Sequence, residues 1–203
     1  MSRSTNKLAR IISTVFVPPS FTILIFTFFA INLEVLPERK YTTIVTAFTF
    51  GFGFIIMLFL YLRKRQMIGD EDATAKDERT FPYMVSVLFY MMGFYVLVKS
   101  QVNPITLSFW ICYITNTIIV VLINKFWKIS AHSIGAAGAL AAMTIYLGYD
   151  ALYLSPIVLL IGWSRIKLRC HDISQVAAGI LFGFFSTFLQ MNYYLSLLSK
   201  PTF

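Results

Sequence analysis

An all-α, polytopic membrane helical bundle of six to seven transmembrane helices is the fold class this sequence predicts, on three observations. Hydrophobic residues make up 58% of the 203-residue chain and the mean hydropathy is +0.73, far above what a soluble domain of this length needs for its core. The apolar residues are gathered into runs close to the roughly 20 that a helix needs to cross a hydrocarbon core about 30 Å thick. The basic residues fall unevenly between those runs, as they do when charge orients a membrane protein.

The first run, 11–33, follows Arg3, Lys7 and Arg10 much as a signal peptide would begin. It is long and shows no small-residue cleavage site, so it reads as an uncleaved anchor, bent near its start by Pro18 and Pro19. Further spans are predicted at about 41–62, 81–99, 105–124 and 132–149. The sixth, 151–164, is short and contains Pro156, which predicts a tilted, kinked or protein-buried segment. The last covers 172–198. No internal repeat, low-complexity linker or soluble domain interrupts the series, so residues 1–203 read as a single integral membrane domain.

With seven spans and the N-terminus inside, thirteen of the 17 basic residues fall on the cytoplasmic side; Arg39, Lys40, Lys99 and Lys200 fall outside. That asymmetry accounts for the net charge of +8 as orientation and headgroup contact, and argues against a nucleic-acid partner. The expected location is the cell (inner) membrane. Cys112 and Cys170 lie on or next to different spans, which implies neither a disulfide framework nor a zinc site. Gly135 to Ala139, and Gly179 with Gly183, form small-residue faces suited to close helix packing. The many Phe and Tyr side chains read as lipid-facing and interfacial.

Three loops on the same side in this topology carry most of the polar chemistry: RKRQMIGDEDATAKDERTFP at 63–82, NKFWKISAHS at 124–133 and SRIKLRCHDISQ at 164–175. They hold both histidines, His132 and His171, each at the start of a predicted span. Phosphate oxygens call for this combination: Arg offers a planar fork, Lys a point charge, and helix N-termini add oriented amides. Imidazole can serve as nucleophile or proton donor near neutral pH, without a metal.

The order of these residues resembles the type 2 phosphatidic acid phosphatase (PAP2) superfamily. SRIKLRCH, Ser-Arg with His seven residues after the Ser, looks like the third signature of that family; ISAHS at 129–133 resembles the second, with Ser130 and His132 kept; KDERTFP weakly resembles the first. The resemblance covers about 76–183 and implies a PAP2-like core. It also implies His171 as a nucleophile that becomes phosphohistidine and His132 as proton donor to the leaving group. Ser130, Arg165 and Arg79 would hold the phosphate, with Lys76 as a further cation. No metal or other cofactor is implied; the partners would be a lipid phosphate substrate and the surrounding lipids. Gln175 stands where the family usually has Asp. Four residues beyond His171 on a helix, it can reach the imidazole, although a neutral amide stabilises an imidazolium less than a carboxylate does. HDISQVAAG at 171–179 resembles the dolichyl-diphosphatase branch, where Gln occupies this place, and so favours a polyprenyl diphosphate. Asp172 is expected to project elsewhere.

Two rival readings stand beside this one. Asp70, Glu71 and Asp72, with Asp77 and Glu78, resemble the magnesium-binding loop of UbiA-type membrane prenyltransferases, yet a second such loop is missing from the sequence. A degenerate lipid-phosphate binding or translocating protein would keep the pocket without turnover, which Gln175 and the incomplete first motif both fit.

Overall fold

The computed structural model describes residues 3–70, 75 and 77–198, and every regular element among them is helical. Helix α1 (Arg3–Val15) is amphipathic, and α2 (Pro18–Leu33) is apolar all round. The two meet at 55°, because α2 starts on the Pro18-Pro19 pair, which cannot extend the preceding ladder of hydrogen bonds. The N-terminal anchor is thus two helices where one bent span is expected from the sequence, and the first begins at Arg3.

Helix α3 (Pro37–Thr46) continues through a π-helical turn, Ala47–Gly53, into α4 (Phe54–Lys64). Gly51 of that turn lies on the Thr22 side chain of α2, where a Cβ would overlap the threonine methyl. Helices α5 (Asp77–Lys99) and α6 (Pro104–Phe126) form a hairpin, with Gly93 of α5 admitting the ring of Trp110. The Trp110 indole donates to the Tyr90 carbonyl at 2.8 Å. Phe26 and Tyr113 pack against its ring and Phe109 stacks on Phe26, so part of the aromatic content that the sequence assigns to lipid is core. At the far end, buried Glu34 accepts from the Asn103 amide at 2.7 Å, tying the end of α2 to the start of α6, where amide donors are unpaired.

Helix α7 (Ala131–Leu147) turns at Gly148, whose φ of +75° suits glycine. A 3-10 segment, Gly148–Leu154, leads into α8 (Ser155–Lys167), and α9 (Ile173–Leu198) follows. Pro156 sits in the first turn of α8, where its missing N–H costs nothing, and starts the helix rather than kinking it. Among the described residues five apolar helical runs are long enough to cross a membrane, and six with the bent α1–α2 pair. One of these, Ala131–Lys167, doubles back: α7 and α8 pack on each other, and both Ser130 and the end of α8 lie at the start of α9. At 1.5 Å per residue α8 spans only about 20 Å, in keeping with its short sequence segment.

Candidate functional site

The contact between α7 and α9 builds the site. A Cβ on Gly179 would stand 2.9 Å from the Ser130 carbonyl oxygen, and one on Gly183 2.5 Å from that of Ile134. Backbone therefore meets backbone along this seam, and it draws the 127–130 loop against the start of α9. The Ser130 amide donates to the Gln175 carbonyl at 3.4 Å, and Lys128 Nζ to the Cys170 carbonyl at 2.6 Å.

The turn between α8 and α9 sets His171. Cys170 N donates to the Arg165 carbonyl at 3.1 Å and Arg169 N to that of Ile166 at 2.9 Å, with Arg169 in the left-handed region at φ +55°. This is the paired bonding of a Schellman helix end, and His171 N joins the same Arg165 carbonyl at 3.3 Å. Asp172 then caps α9, accepting from Ser174 Oγ at 2.6 Å and Gln175 N at 2.8 Å; the Ser174 bond above all lowers its pKa. Gln175 is thereby fixed on the first turn, with its Oε1 2.8 Å from His171 Nδ1.

Since an amide oxygen only accepts, His171 Nδ1 carries the proton and Nε2 keeps its lone pair. Burial first, and then the Arg79 guanidinium, push the His171 pKa down to about 3 against the opposing pull of the Gln175 bond. Lys128 is lowered as well, by burial and then by Arg79. The imidazole is neutral at physiological pH and faces a cationic surround.

His132 stands in the first turn of α7, which Ser130 caps by accepting from Ser133 N at 3.4 Å and Ser133 Oγ at 2.9 Å. His132 Nε2 lies 3.2 Å from the Ser13 carbonyl oxygen. A carbonyl only accepts, so that nitrogen is the protonated one. Buried Arg79 donates to the Ile129 carbonyl at 3.2 Å. Arg165 is 0% exposed, and its guanidinium donates to Ser13 Oγ.

His171, His132 and Arg79 line one cavity of about 310 Å³; Ser130, Arg165 and Gln175 are not part of its lining. Asp70 and Arg63 border the cavity at the same end. From there it descends past Tyr83, Ser86 and Tyr90, on one face of α5, to Phe109 and Tyr113 of α6. Lys76, with Glu71 and Asp72 of the acidic run, lies outside the described residues. Among the described residues no three metal-ligating side chains converge, and Cys112 and Cys170, both buried, are not joined in a disulfide. Ser13 has no counterpart in the sequence motifs; the one signal for it is that α1 is amphipathic and places it on the buried side.

Comparison with protein-family models, with characterised proteins and with solved structures finds no match to this chain.

Proposed function

We propose that the protein is a membrane lipid phosphatase of the PAP2 type, hydrolysing a polyprenyl diphosphate or related lipid phosphate without a metal. The observation that carries this reading is the shared cavity: two histidines and an arginine at one end, and a largely apolar lining below them. A phosphorylated head and a hydrocarbon tail fit such a division. The distribution of basic residues supports a cytoplasmic cationic end.

In this mechanism the Nε2 lone pair of His171 attacks phosphorus in line, and the N–P bond forms as the bond to the leaving oxygen breaks. His132, held through Nε2–H on the Ser13 carbonyl and entering the cycle as the imidazolium, gives that oxygen the proton on Nδ1. Water then attacks the phosphohistidine and loses a proton to His132 Nδ1; the N–P bond breaks, phosphate leaves, and His171 is neutral again. Gln175 holds the ring tautomer throughout. Arg79, which lines the cavity, compensates the charge on the phosphate oxygens; Arg165 and Ser130 support the loops around it, and Lys76 is a further cation by the motif resemblance alone. Oriented charges of this kind act strongly in a site that excludes water.

One observation favours a binding protein that has lost turnover: the partner of His171 is a neutral amide. The test is acid-labile phosphate trapped on the protein during turnover of labelled lipid phosphate. Its location on His171 by mass spectrometry supports the enzyme, and tight lipid-phosphate binding with no trapped phosphate supports the binder.

A further inference from the structure

The N-terminal helix reaches the site by a route that none of the three polar loops contains. Ser13 is 2% exposed and binds two of the implicated side chains at once: its carbonyl oxygen faces His132 Nε2 at 3.2 Å, and its Oγ accepts from Arg165. It belongs to the last turn of α1, where carbonyls have no partner within the helix and carry its partial negative charge. That carbonyl holds the His132 ring through Nε2 at the wall of the cavity.

The opposite side of α1 has a different task. Leu8, Ile11 and Val15 are each about half exposed, at 50%, 51% and 56%, and share one helical face, while Ala9, Ile12 and Ser13 are buried on α8 and its neighbours. The 55° bend sets α1 off the axis of α2 at the cationic end of the bundle. An apolar stripe flanked by Lys7 and Arg10 suits a helix lying in the plane of the bilayer surface.

We propose that Ser13 is a positioning residue and α1 a fourth part of the site, an interfacial helix whose seating on the membrane holds His132 and Arg165 in place. The inference rests on reading the cavity as a lipid-phosphate site, so its test has one arm that needs turnover and one that does not. Full-length wild type, Ser13→Ala, Ser13→Thr and Ile11→Asp are reconstituted in vesicles of phosphatidylcholine and phosphatidylglycerol. Phosphate release from a polyprenyl diphosphate is measured in each, together with the shift of thermal unfolding by orthovanadate.

Ser13→Ala is expected to lower kcat by about 30-fold with KM changed less than about twofold, the pattern of an interaction that matters mainly in the transition state. Ser13→Thr, which keeps the hydroxyl, restores most of the rate. Ile11→Asp, on the lipid side and away from the cavity, lowers kcat in the same way. Unchanged kcat in both Ser13→Ala and Ile11→Asp overturns the proposal. If wild type itself releases no phosphate, the enzyme reading falls and vanadate decides. Weaker vanadate stabilisation in Ser13→Ala, by about tenfold in apparent affinity, then supports the positioning role, and equal stabilisation overturns it.

Discussion

His171 Nδ1 and Gln175 Oε1 stand 2.8 Å apart across the first turn of α9, so a neutral amide orients the ring. Replacing the amide by a carboxylate keeps the geometry and adds a charge beside the imidazole. Gln175→Glu is therefore expected to raise phosphate release by about one order of magnitude or more, and Gln175→Leu to lower it about 100-fold, by analogy with the cost of a wrong tautomer. Steady-state kinetics on the two purified variants check this.

The depressed pKa of His171 has a spectroscopic signature. With a folded value of about 3 against 6.5 for the free side chain, the ring is expected to stay neutral, protonated on Nδ1, throughout pH 5 to 8. Nitrogen-15 spectra of labelled histidine test that directly. The linkage has a definite sign: below pH 6.5 the unfolded chain takes up a proton that the folded one refuses. This histidine's contribution to stability is thus lost as pH falls from 6.5 toward 3, amounting to a few kcal/mol at the acid end. Thermal unfolding of wild type and His171→Asn is expected to converge as the pH is raised through that window.

The seam between α7 and α9 has no room for a side chain at Gly183. Gly183→Val would drive a branched side chain into the Ile134 backbone, 2.5 Å from the first added carbon. Overpacking of this kind costs about 1–3 kcal/mol or more. A lowered Tm is expected, with loss of phosphate release because the two histidine-bearing loops separate. Gly135→Ala, where a Cβ meets ordinary contacts at 3.4 Å, is expected to leave both unchanged.

If the cavity takes the lipid tail, filling it discriminates by chain length. Thr117 lines the cavity. Thr117→Phe is expected to raise KM for a long-chain lipid phosphate about tenfold or more and to spare hydrolysis of p-nitrophenyl phosphate, since only uniform binding of the tail is removed.

Much of the fold was legible because its signals are long and local. Runs of apolar residues near 20, the Pro18-Pro19 bend and the Gly179–Gly183 spacing each act within one or two turns, and each appears in the structure in that place. Of the three readings open for the Pro156 segment only the kink fails, because a proline in the first turn of a helix and one in its interior look alike until the start of α8 is known. The cluster at one end was legible in part: His171 with Gln175 is a contact between residues four apart, which helical geometry alone permits. The pairing of Ser13 with His132 spans 119 residues and depends on how α1 docks, which no local pattern encodes. The burial of Trp110 and Phe26 was hidden for a related reason, since an aromatic residue facing lipid and one facing a neighbouring helix carry the same local hydropathy.

The central claim is that His171 and His132 hydrolyse a lipid phosphate without a metal. The most direct measurement is phosphate release from polyprenyl diphosphate and phosphatidic acid by the purified protein in detergent with EDTA present, for wild type, His171→Ala and His132→Ala. Release that persists in EDTA and is abolished by either substitution is the expected result. No release from either lipid, or release that both substitutions leave intact, would contradict it.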